Sequence, residues 1–123
     1  MTMRRTFFNN RDAWPSFRPM PDRRVIFVDV DGVLLLASGQ INARVVQWCR
    51  DRHADGYTLV LWSGAGTEHA KAAAELAELS DLFTAVVSKP SIVVDDHGWS
   101  WIQFTSAVHP DGGSCGRRCC LAH

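Results

Sequence analysis

Short apolar runs alternate along this chain with segments whose apolar residues have helical spacing. The first run, residues 25–28, is continuous, and such a run is typical of a strand in a parallel sheet, where both faces are buried. The next segment has apolar residues at i, i+4, i+7 and i+8, which form one face of a helix. Those residues are Ile41, Val45, Trp48 and Cys49. Asp55-Gly56 is a typical helix end, so we predict a strand and then a helix that stops there.

The alternation continues through the second half of the chain. Residues 58–62 predict a second strand, the turn Ser63-Gly64-Ala65-Gly66-Thr67 leads into a second helix, and residues 83–87 predict a third strand. Shorter runs at residues 92–94 and 100–104 predict a fourth strand and a fifth strand. Strands that alternate with helices form a mostly parallel sheet that helices cover on both faces. We therefore predict an α/β fold, a Rossmann-like three-layer sandwich.

The length of 123 residues leaves room for one domain and little beside it. Residues 1–22 are rich in Arg, Asn and Pro, and they predict an irregular basic arm. The apolar pattern occupies residues 23–108, which we take as the folded domain. Gly, Cys and Arg dominate residues 109–123, so we predict a flexible tail there. Cys49 lies in the apolar helical pattern and is predicted to be buried.

Polar residues follow the predicted strands at their carboxyl ends, the edge where ligands bind in open α/β sheets. These residues are Asp29, Asp31, Ser63, Gly64, Lys89, Asp95 and Asp96. Carboxylates are the ligands that hard cations such as Mg²⁺ prefer. A Ser-Gly turn at a helix start and a Lys side chain can bind phosphate oxygens. The pattern therefore predicts a site that handles a phosphate with a metal ion.

The same residues resemble the motifs of the haloacid dehalogenase (HAD) superfamily. The segment Val28-Asp29-Val30-Asp31-Gly32-Val33-Leu34 is similar to its first motif, Asp-x-Asp-x-(Thr/Val). Ser63 and Lys89 are similar to the second and third motifs, and Val93-Val94-Asp95-Asp96 is similar to the fourth. The four motifs occur in the family's order, each at the end of a predicted strand. Val33 fits the phosphatase branch of the family.

The resemblance implies a role for each of these residues. Asp29 would attack phosphorus and form an aspartyl-phosphate, and Asp31 would protonate the leaving group and then activate water. Ser63, Gly64 and Lys89 would bind the phosphate. The implied activity is that of a Mg²⁺-dependent phosphatase, a phosphoric monoester hydrolase. The implied Mg²⁺ ligands are the side chain of Asp29, the backbone carbonyl of Asp31, and Asp95 or Asp96.

No segment between the motifs is long enough for a cap domain over this site. Only a small flap fits between Leu34 and Gln40, and no large insertion separates the second and third strands. Capless members of the family often act on large substrates or use a neighbouring subunit as a cover. The candidate substrates are a nucleotide, a phosphorylated nucleic-acid end, a sugar phosphate or other phosphorylated small molecule, and a phosphoprotein, with a slight preference for nucleotides or nucleic acid. Homo-oligomer formation stays open.

Charge is distributed unevenly along the chain. Residues 1–24 contain six Arg and two Asp, a net charge of +4, so residues 25–123 carry −4 in a chain of zero net charge. The basic arm could bind nucleic acid, or it could be a solvated arm on the surface of the domain. The chain has no run long enough to span a membrane and no signal peptide, so we expect a cytoplasmic protein without a membrane partner.

Two other functional classes compete with the phosphatase. A HAD-like module that binds metal or phosphate, with weak catalysis or none, fits the small size of the domain. A phospho-accepting receiver domain also uses clustered Asp, but it needs an Asp at the end of its third strand, where this chain has Val86-Val87-Ser88. Trp62, Trp99 and Trp101 could stack on a nucleobase or pack in the core.

Overall fold

The computed structural model of the chain describes residues 24–100, 102, 105 and 107–110. These residues fall into two compact units, one ending at Pro90 and the other beginning at Ser91. The first unit holds the three strands and two helices that the described residues form. Neither of these two helices has the length and hydrophobicity needed to cross a membrane. The predicted basic arm lies outside the described residues, as does nearly all of the predicted tail, so the predicted domain boundaries stay predictions.

The first unit is built on a three-stranded sheet in which all strands are parallel. Strand β1 is Val25–Asp29, β2 is Thr58–Ser63 and β3 is Ala85–Ser88, and β2 lies in the middle. This confirms the α/β class and the parallel sheet that the sequence predicts. Strand β3 begins two residues later than predicted, because Phe83 serves as a buried core residue in the turn before it.

Two helices connect these strands. Helix α1 is Ala43–Ala54, and helix α2 is Thr67–Leu76, as the apolar spacing predicts. Helix α1 begins after Asn42, whose side chain accepts a hydrogen bond from the backbone N–H of Arg44 and so caps the helix. Helix α2 begins after Gly66, whose φ of +111° is a backbone conformation that side chains other than glycine rarely adopt.

Both helices cover the same face of the sheet. The strands follow one another across the sheet in chain order, and right-handed crossovers then place both connecting helices on one side. Burial along β2 agrees with this, because Leu59, Leu61 and Ser63 are buried while Val60 and Trp62 between them are half-buried. The described part of the first unit therefore has two layers, and the third layer of the predicted sandwich stays a prediction.

The core consists mainly of aliphatic side chains and small residues, with Phe83 as a buried aromatic side chain. Helix α2 contributes Ala70, Ala73 and Ala74, which are all buried, and side chains this small allow the helix to lie close to the sheet. The prediction that Cys49 is buried is confirmed, and burial raises the pKa of its thiol to about 12. The largest fully buried aliphatic side chains are those of Leu34, Leu59, Leu61 and Leu79.

The predicted fourth strand is wrong. Residues 92–94 form no strand, and Ile92 and Val94 are 81% and 96% exposed. A short apolar run becomes a strand only where a neighbouring strand supplies hydrogen bonds and other groups cover its side chains. The predicted fifth strand is also wrong where the chain is described, because Ser100 and Ile102 lie in a helical turn with i→i+3 hydrogen bonds.

A pair of leucine truncations tests this account of the core. Leu61→Ala removes a fully buried side chain from the central strand, so we expect it to lower the free energy of unfolding by about 2–5 kcal/mol. Leu76→Ala is the matched control, because Leu76 is 60% exposed and its truncation should change stability by less than about 0.5 kcal/mol. Urea unfolding followed by circular dichroism measures both changes, and equal effects would contradict the burial described here.

Alkylation of Cys49 tests the burial of α1. Burial raises the pKa of this thiol from 9.0 to about 12, so the reactive thiolate is scarce in the folded protein. At pH 9 we expect native Cys49 to react with iodoacetamide on the order of a thousandfold more slowly than the same residue in the unfolded chain, because three pH units separate the two pKa values. Mass spectrometry of the tryptic peptide that contains Cys49, with and without guanidinium, measures the ratio. Equal rates would contradict the prediction.

Candidate functional site

The carboxyl ends of the three parallel strands meet at one edge of the sheet. The register pairs Asp29, the last residue of β1, with Trp62, and it pairs Ser63 with Ser88, the last residues of β2 and β3. The backbone N–H of Lys89 donates to the carbonyl oxygen of Ser63 at 2.9 Å, which extends the pairing one residue beyond β3. Three of the residues that the sequence singles out, Asp29, Ser63 and Lys89, therefore lie on neighbouring strands at the same edge.

The carboxylate of Asp29 is held in place and is still reachable from solvent. Its Oδ1 accepts a hydrogen bond from the backbone N–H of Val30 at 2.9 Å, and the Nζ atom of Lys89 lies 3.5 Å from the same oxygen. The side chains of Asp29 and Lys89 are 35% and 42% exposed. An ion pair this open contributes little to stability. The pair places an anionic oxygen beside a cation, and a cation of this kind can attract a phosphate.

Trp62 is part of the sheet surface next to this pair. Its ring makes an edge-to-face contact with Phe27, with 4.7 Å between the ring centroids, and Lys89 Nζ lies 5.7 Å from the Trp62 ring. These contacts favour the packing role of Trp62 over a nucleobase-stacking role. Of the other two tryptophans, Trp99 belongs to the second unit and Trp101 lies outside the described residues.

A tight turn directly after β1 presents Asp31. The backbone N–H groups of Val33 and Leu35 both donate to the carbonyl of Val30, at 3.1 and 2.9 Å, and the N–H of Gly32 donates to the carbonyl of Leu35 at 2.8 Å. Gly32 has a φ of +81°, which explains why glycine follows Asp31. The turn keeps the Asp31 side chain 63% exposed. The second carboxylate of the first motif therefore faces solvent next to the strand end.

A short flap follows this turn, as the sequence predicts. The N–H of Leu36 donates to the carbonyl of Gln40, and the N–H of Gly39 donates back to the carbonyl of Leu36, both at 2.8 Å. Leu35 and Ile41 form an antiparallel bridge at the base of the flap. The five residues that the bridge encloses, 36–40, form a small loop, and they are too few to build a cap domain.

The structure adds a residue that the sequence interpretation missed. The Nε2 atom of His69 lies 3.1 Å from Oδ1 and 3.2 Å from Oδ2 of Asp31. His69 belongs to the first turn of α2, and its side chain is 39% exposed. The signal available in the sequence was its place three residues after Gly66, where a helix that follows a site-bearing strand begins. That signal is weak, since the pairing joins residues 38 positions apart.

The turn after β2 is held by Ser63. Its side chain is fully buried, and its Oγ accepts a hydrogen bond from the backbone N–H of Ala65 at 3.0 Å. The carbonyl of Ser63 also accepts the N–H of Gly66 at 3.2 Å. Gly64, between them, is exposed, with open space where a side chain would point. The hydroxyl of Ser63 thus shapes the loop that presents the Gly64 backbone, and its own O–H proton can still be donated.

Asp95 and Asp96 belong to the second unit. Together with His97 they offer ligand atoms that all lie within 4.8 Å of one another, and His97 Nδ1 is 3.4 Å from Asp96 Oδ1. The backbone N–H of His97 also donates to Oδ1 of Asp95 at 2.7 Å. Both carboxylates are exposed, and exposed acidic groups of this kind are common where no ion binds. The role of these two residues as Mg²⁺ ligands therefore stays a prediction.

No protein-family model, curated protein or solved structure matches this chain. The resemblance to the HAD superfamily therefore depends on the motif residues themselves. In the structure, the residues of the first three motifs lie at the carboxyl ends of β1, β2 and β3, at one edge of a parallel sheet.

Two serine truncations test whether the buried hydroxyl of Ser63 stabilises the turn after β2. Ser63→Ala leaves the N–H of Ala65 without its acceptor in a partly buried turn, so we expect a loss of about 1–2 kcal/mol in the free energy of unfolding. Ser38→Ala is the matched control, because Ser38 is exposed and accepts only the N–H of Gln40 at 3.3 Å. Its cost should stay below about 0.5 kcal/mol. Urea midpoints compare the two, and a neutral Ser63→Ala would contradict the role given to this hydroxyl.

Proposed function

We propose that this chain is a Mg²⁺-dependent phosphatase of the HAD type, with Asp29 as the nucleophile. The observation that carries the proposal is the group at the carboxyl edge of the sheet. There, one solvent-accessible carboxylate ends β1 and a second lies in the turn after it, and the ammonium group of Lys89 lies 3.5 Å from the first. An anionic nucleophile beside a cation that attracts its anionic substrate is the arrangement that attack on a phosphate monoester requires.

In the first chemical step a carboxylate oxygen of Asp29 attacks phosphorus. The bond between phosphorus and the ester oxygen breaks, and its electron pair goes to the leaving oxygen. Asp31 gives its proton to that oxygen, so the alcohol departs and an aspartyl-phosphate remains on Asp29. Lys89 neutralises charge on the phosphoryl oxygens. The backbone N–H of Gly64 donates to them at the start of α2, because the N–H groups of Ala65 and Gly66 are bonded to Ser63 within the turn.

The second step restores the enzyme. Asp31, now ionised, takes a proton from water as the water oxygen attacks phosphorus. The bond between phosphorus and the Asp29 oxygen breaks, which releases inorganic phosphate and the free carboxylate of Asp29. Asp31 is protonated again and ready for the next cycle. The same group acts as acid and then as base, so the exposed Asp31 side chain must hold one position through both steps.

The donors at this edge fit a magnesium ion. They are hard oxygen ligands, and the carboxylate of Asp29 and the backbone carbonyl of Asp31 would hold the ion next to β1. When bound, Mg²⁺ would screen the repulsion between the Asp29 carboxylate and the phosphate. The fourth motif suggests Asp95 or Asp96 as a further ligand, and that part of the proposal comes from the sequence alone.

The proposal also covers the fold and the substrate class. We take the two described layers as part of a capless three-layer HAD sandwich. A site without a cap is open to a nucleotide or to the phosphorylated end of a nucleic acid as well as to a phosphorylated small molecule. The Arg residues among residues 1–24 would attract a polyanionic substrate, and removing residues 1–22 would then lower activity on a phosphorylated oligonucleotide more than on a small phosphate ester.

Hydrolysis of 4-nitrophenyl phosphate tests the phosphatase directly. We expect turnover by the wild-type protein in Mg²⁺, none in EDTA, and a loss on the order of a thousandfold or more in Asp29→Asn, because an amide cannot act as the nucleophile. Asp81→Asn is the matched control, since Asp81 is exposed and lies in the turn that precedes β3, away from the carboxyl edge. Release of 4-nitrophenol gives the rates.

The contradicting outcome is a folded wild-type protein that binds Mg²⁺ and releases no product from any phosphate ester, including phosphorylated nucleotides and oligonucleotides. That result would favour the alternative function, a HAD-like module that binds metal or phosphate without turnover. Equal activity in wild type and Asp29→Asn would also contradict the proposal, because it would place the chemistry elsewhere.

A further inference from the structure

The pairing of His69 with Asp31 has no part in the mechanism described so far. The imidazole Nε2 contacts both oxygens of the carboxylate, at 3.1 and 3.2 Å. Among the described residues, His69 makes the only side-chain hydrogen bonds to this carboxylate. An ionised carboxylate can only accept hydrogen bonds, so the imidazole bonds to it through the tautomer whose proton is on Nε2.

The two partners differ in how exposed their side chains are, at 63% for Asp31 and 39% for His69. Asp31 lies in an exposed turn, where its side chain would otherwise be able to change rotamer. His69 lies in the first turn of α2, and the turn before α2 is tied to β2 through the buried Ser63. Helix α2 is in turn tied to β3, because Thr67 Oγ1 accepts the backbone N–H of Ser88 at 3.0 Å. The start of a helix that is tied to β2 and β3 therefore holds an exposed side chain.

We infer that His69 is a positioning residue that holds the Asp31 carboxyl group for proton transfer to the leaving oxygen. The inference rests on the proposed phosphatase function. When Asp31 is protonated, one oxygen accepts the N–H of His69, so the proton sits on the other oxygen and has a defined direction. The proton then moves from that oxygen to the leaving oxygen as the bond to phosphorus breaks, and Asp31 is left as the carboxylate that His69 already binds.

This role predicts a dependence on the leaving group that a purely structural role would not produce. A nitrophenolate leaves readily without a proton, whereas an alkoxide needs one, so loss of general acid catalysis is felt mainly with alkyl phosphates. A residue that only stabilised the fold would slow both substrates alike. A residue that only bound the phosphate would raise KM for both.

The experiment compares wild type, His69→Gln, His69→Asn and Asp31→Asn on 4-nitrophenyl phosphate and on 2-phenylethyl phosphate in saturating Mg²⁺. For His69→Asn we expect kcat/KM on the alkyl ester to fall by about 10- to 100-fold and kcat/KM on the nitrophenyl ester by less than about threefold. The ratio kcat/KM is the measure used because it covers the steps up to release of the alcohol and excludes hydrolysis of the aspartyl-phosphate, in which Asp31 serves both esters as the base. Asp31→Asn should show the same selectivity with a larger loss. His69→Gln should recover much of the rate on the alkyl ester, because its amide nitrogen reaches the position of Nε2 while the shorter Asn does not.

His53→Ala is the matched control, because His53 is exposed in the last turn of α1 and should leave both rates unchanged. Urea midpoints for all variants show whether each protein is folded. Both substitutions at position 69 remove the imidazole ring. A difference in rate between His69→Gln and His69→Asn therefore reports the hydrogen bond to Asp31 and not the loss of the ring.

Three outcomes would overturn the inference. Unchanged rates in His69→Asn would show that the pairing has no kinetic role. An equal loss on both esters would assign it to folding or to phosphate binding. Wild-type protein that is inactive on both esters would remove the proposed function, and the inference would fall with it. If the wild type is active and the His69 variants keep its rates on both esters, the inference is overturned while the proposed function stands.

Discussion

The parallel hydrogen-bonded ladder between β1, β2 and β3 is the constraint on which the rest of the first unit depends. It aligns the last residues of the strands, so that Asp29 lies beside Trp62 and Ser63 beside Ser88. A shift of one residue in this register would turn every side chain to the opposite face of the sheet. Ser63 would then leave the core, and the turn that it holds before α2 would lose its anchor. The grouping of polar residues at one edge is therefore a consequence of backbone pairing before any side chain interacts with another.

The local turns convert that edge into a site. The turn after β1 needs glycine at position 32 and exposes Asp31, while the turn after β2 is held by a buried hydroxyl and delivers the start of α2. Lys89 follows β3 and reaches back to Asp29. Each strand thus contributes one kind of group, namely carboxylate, helix start and cation. This division explains how a three-stranded sheet can present the components of the proposed phosphate site within very few residues.

The elements of the first unit were predictable because each is marked locally. A continuous apolar run, helical spacing that includes Cys49, and the Asp55-Gly56 stop together indicate a strand and a helix without any knowledge of their neighbours. The same approach failed at residues 92–94, which have the composition of a strand and lack the burial of one. The predicted start of β3 was also two residues too early, because Phe83 is apolar as a core residue that precedes the strand. The sequence shows which residues are apolar, and the tertiary structure determines which of them are buried by other groups.

The sequence by itself determined the α/β class and the placement of Asp29, Asp31, Ser63 and Lys89 after strands, because apolar periodicity and chain order are local properties. Parallel pairing then brings the strand ends to one edge, so Asp29, Ser63 and Lys89 could be expected there together. Only the tertiary structure decided that Lys89 pairs with Asp29, that Trp62 packs against Phe27, and that His69 binds Asp31. Those contacts depend on how closely α2 lies on the sheet and how the turn after β1 is bent. Such distances follow from packing across the chain, and no pattern of neighbouring residues encodes them.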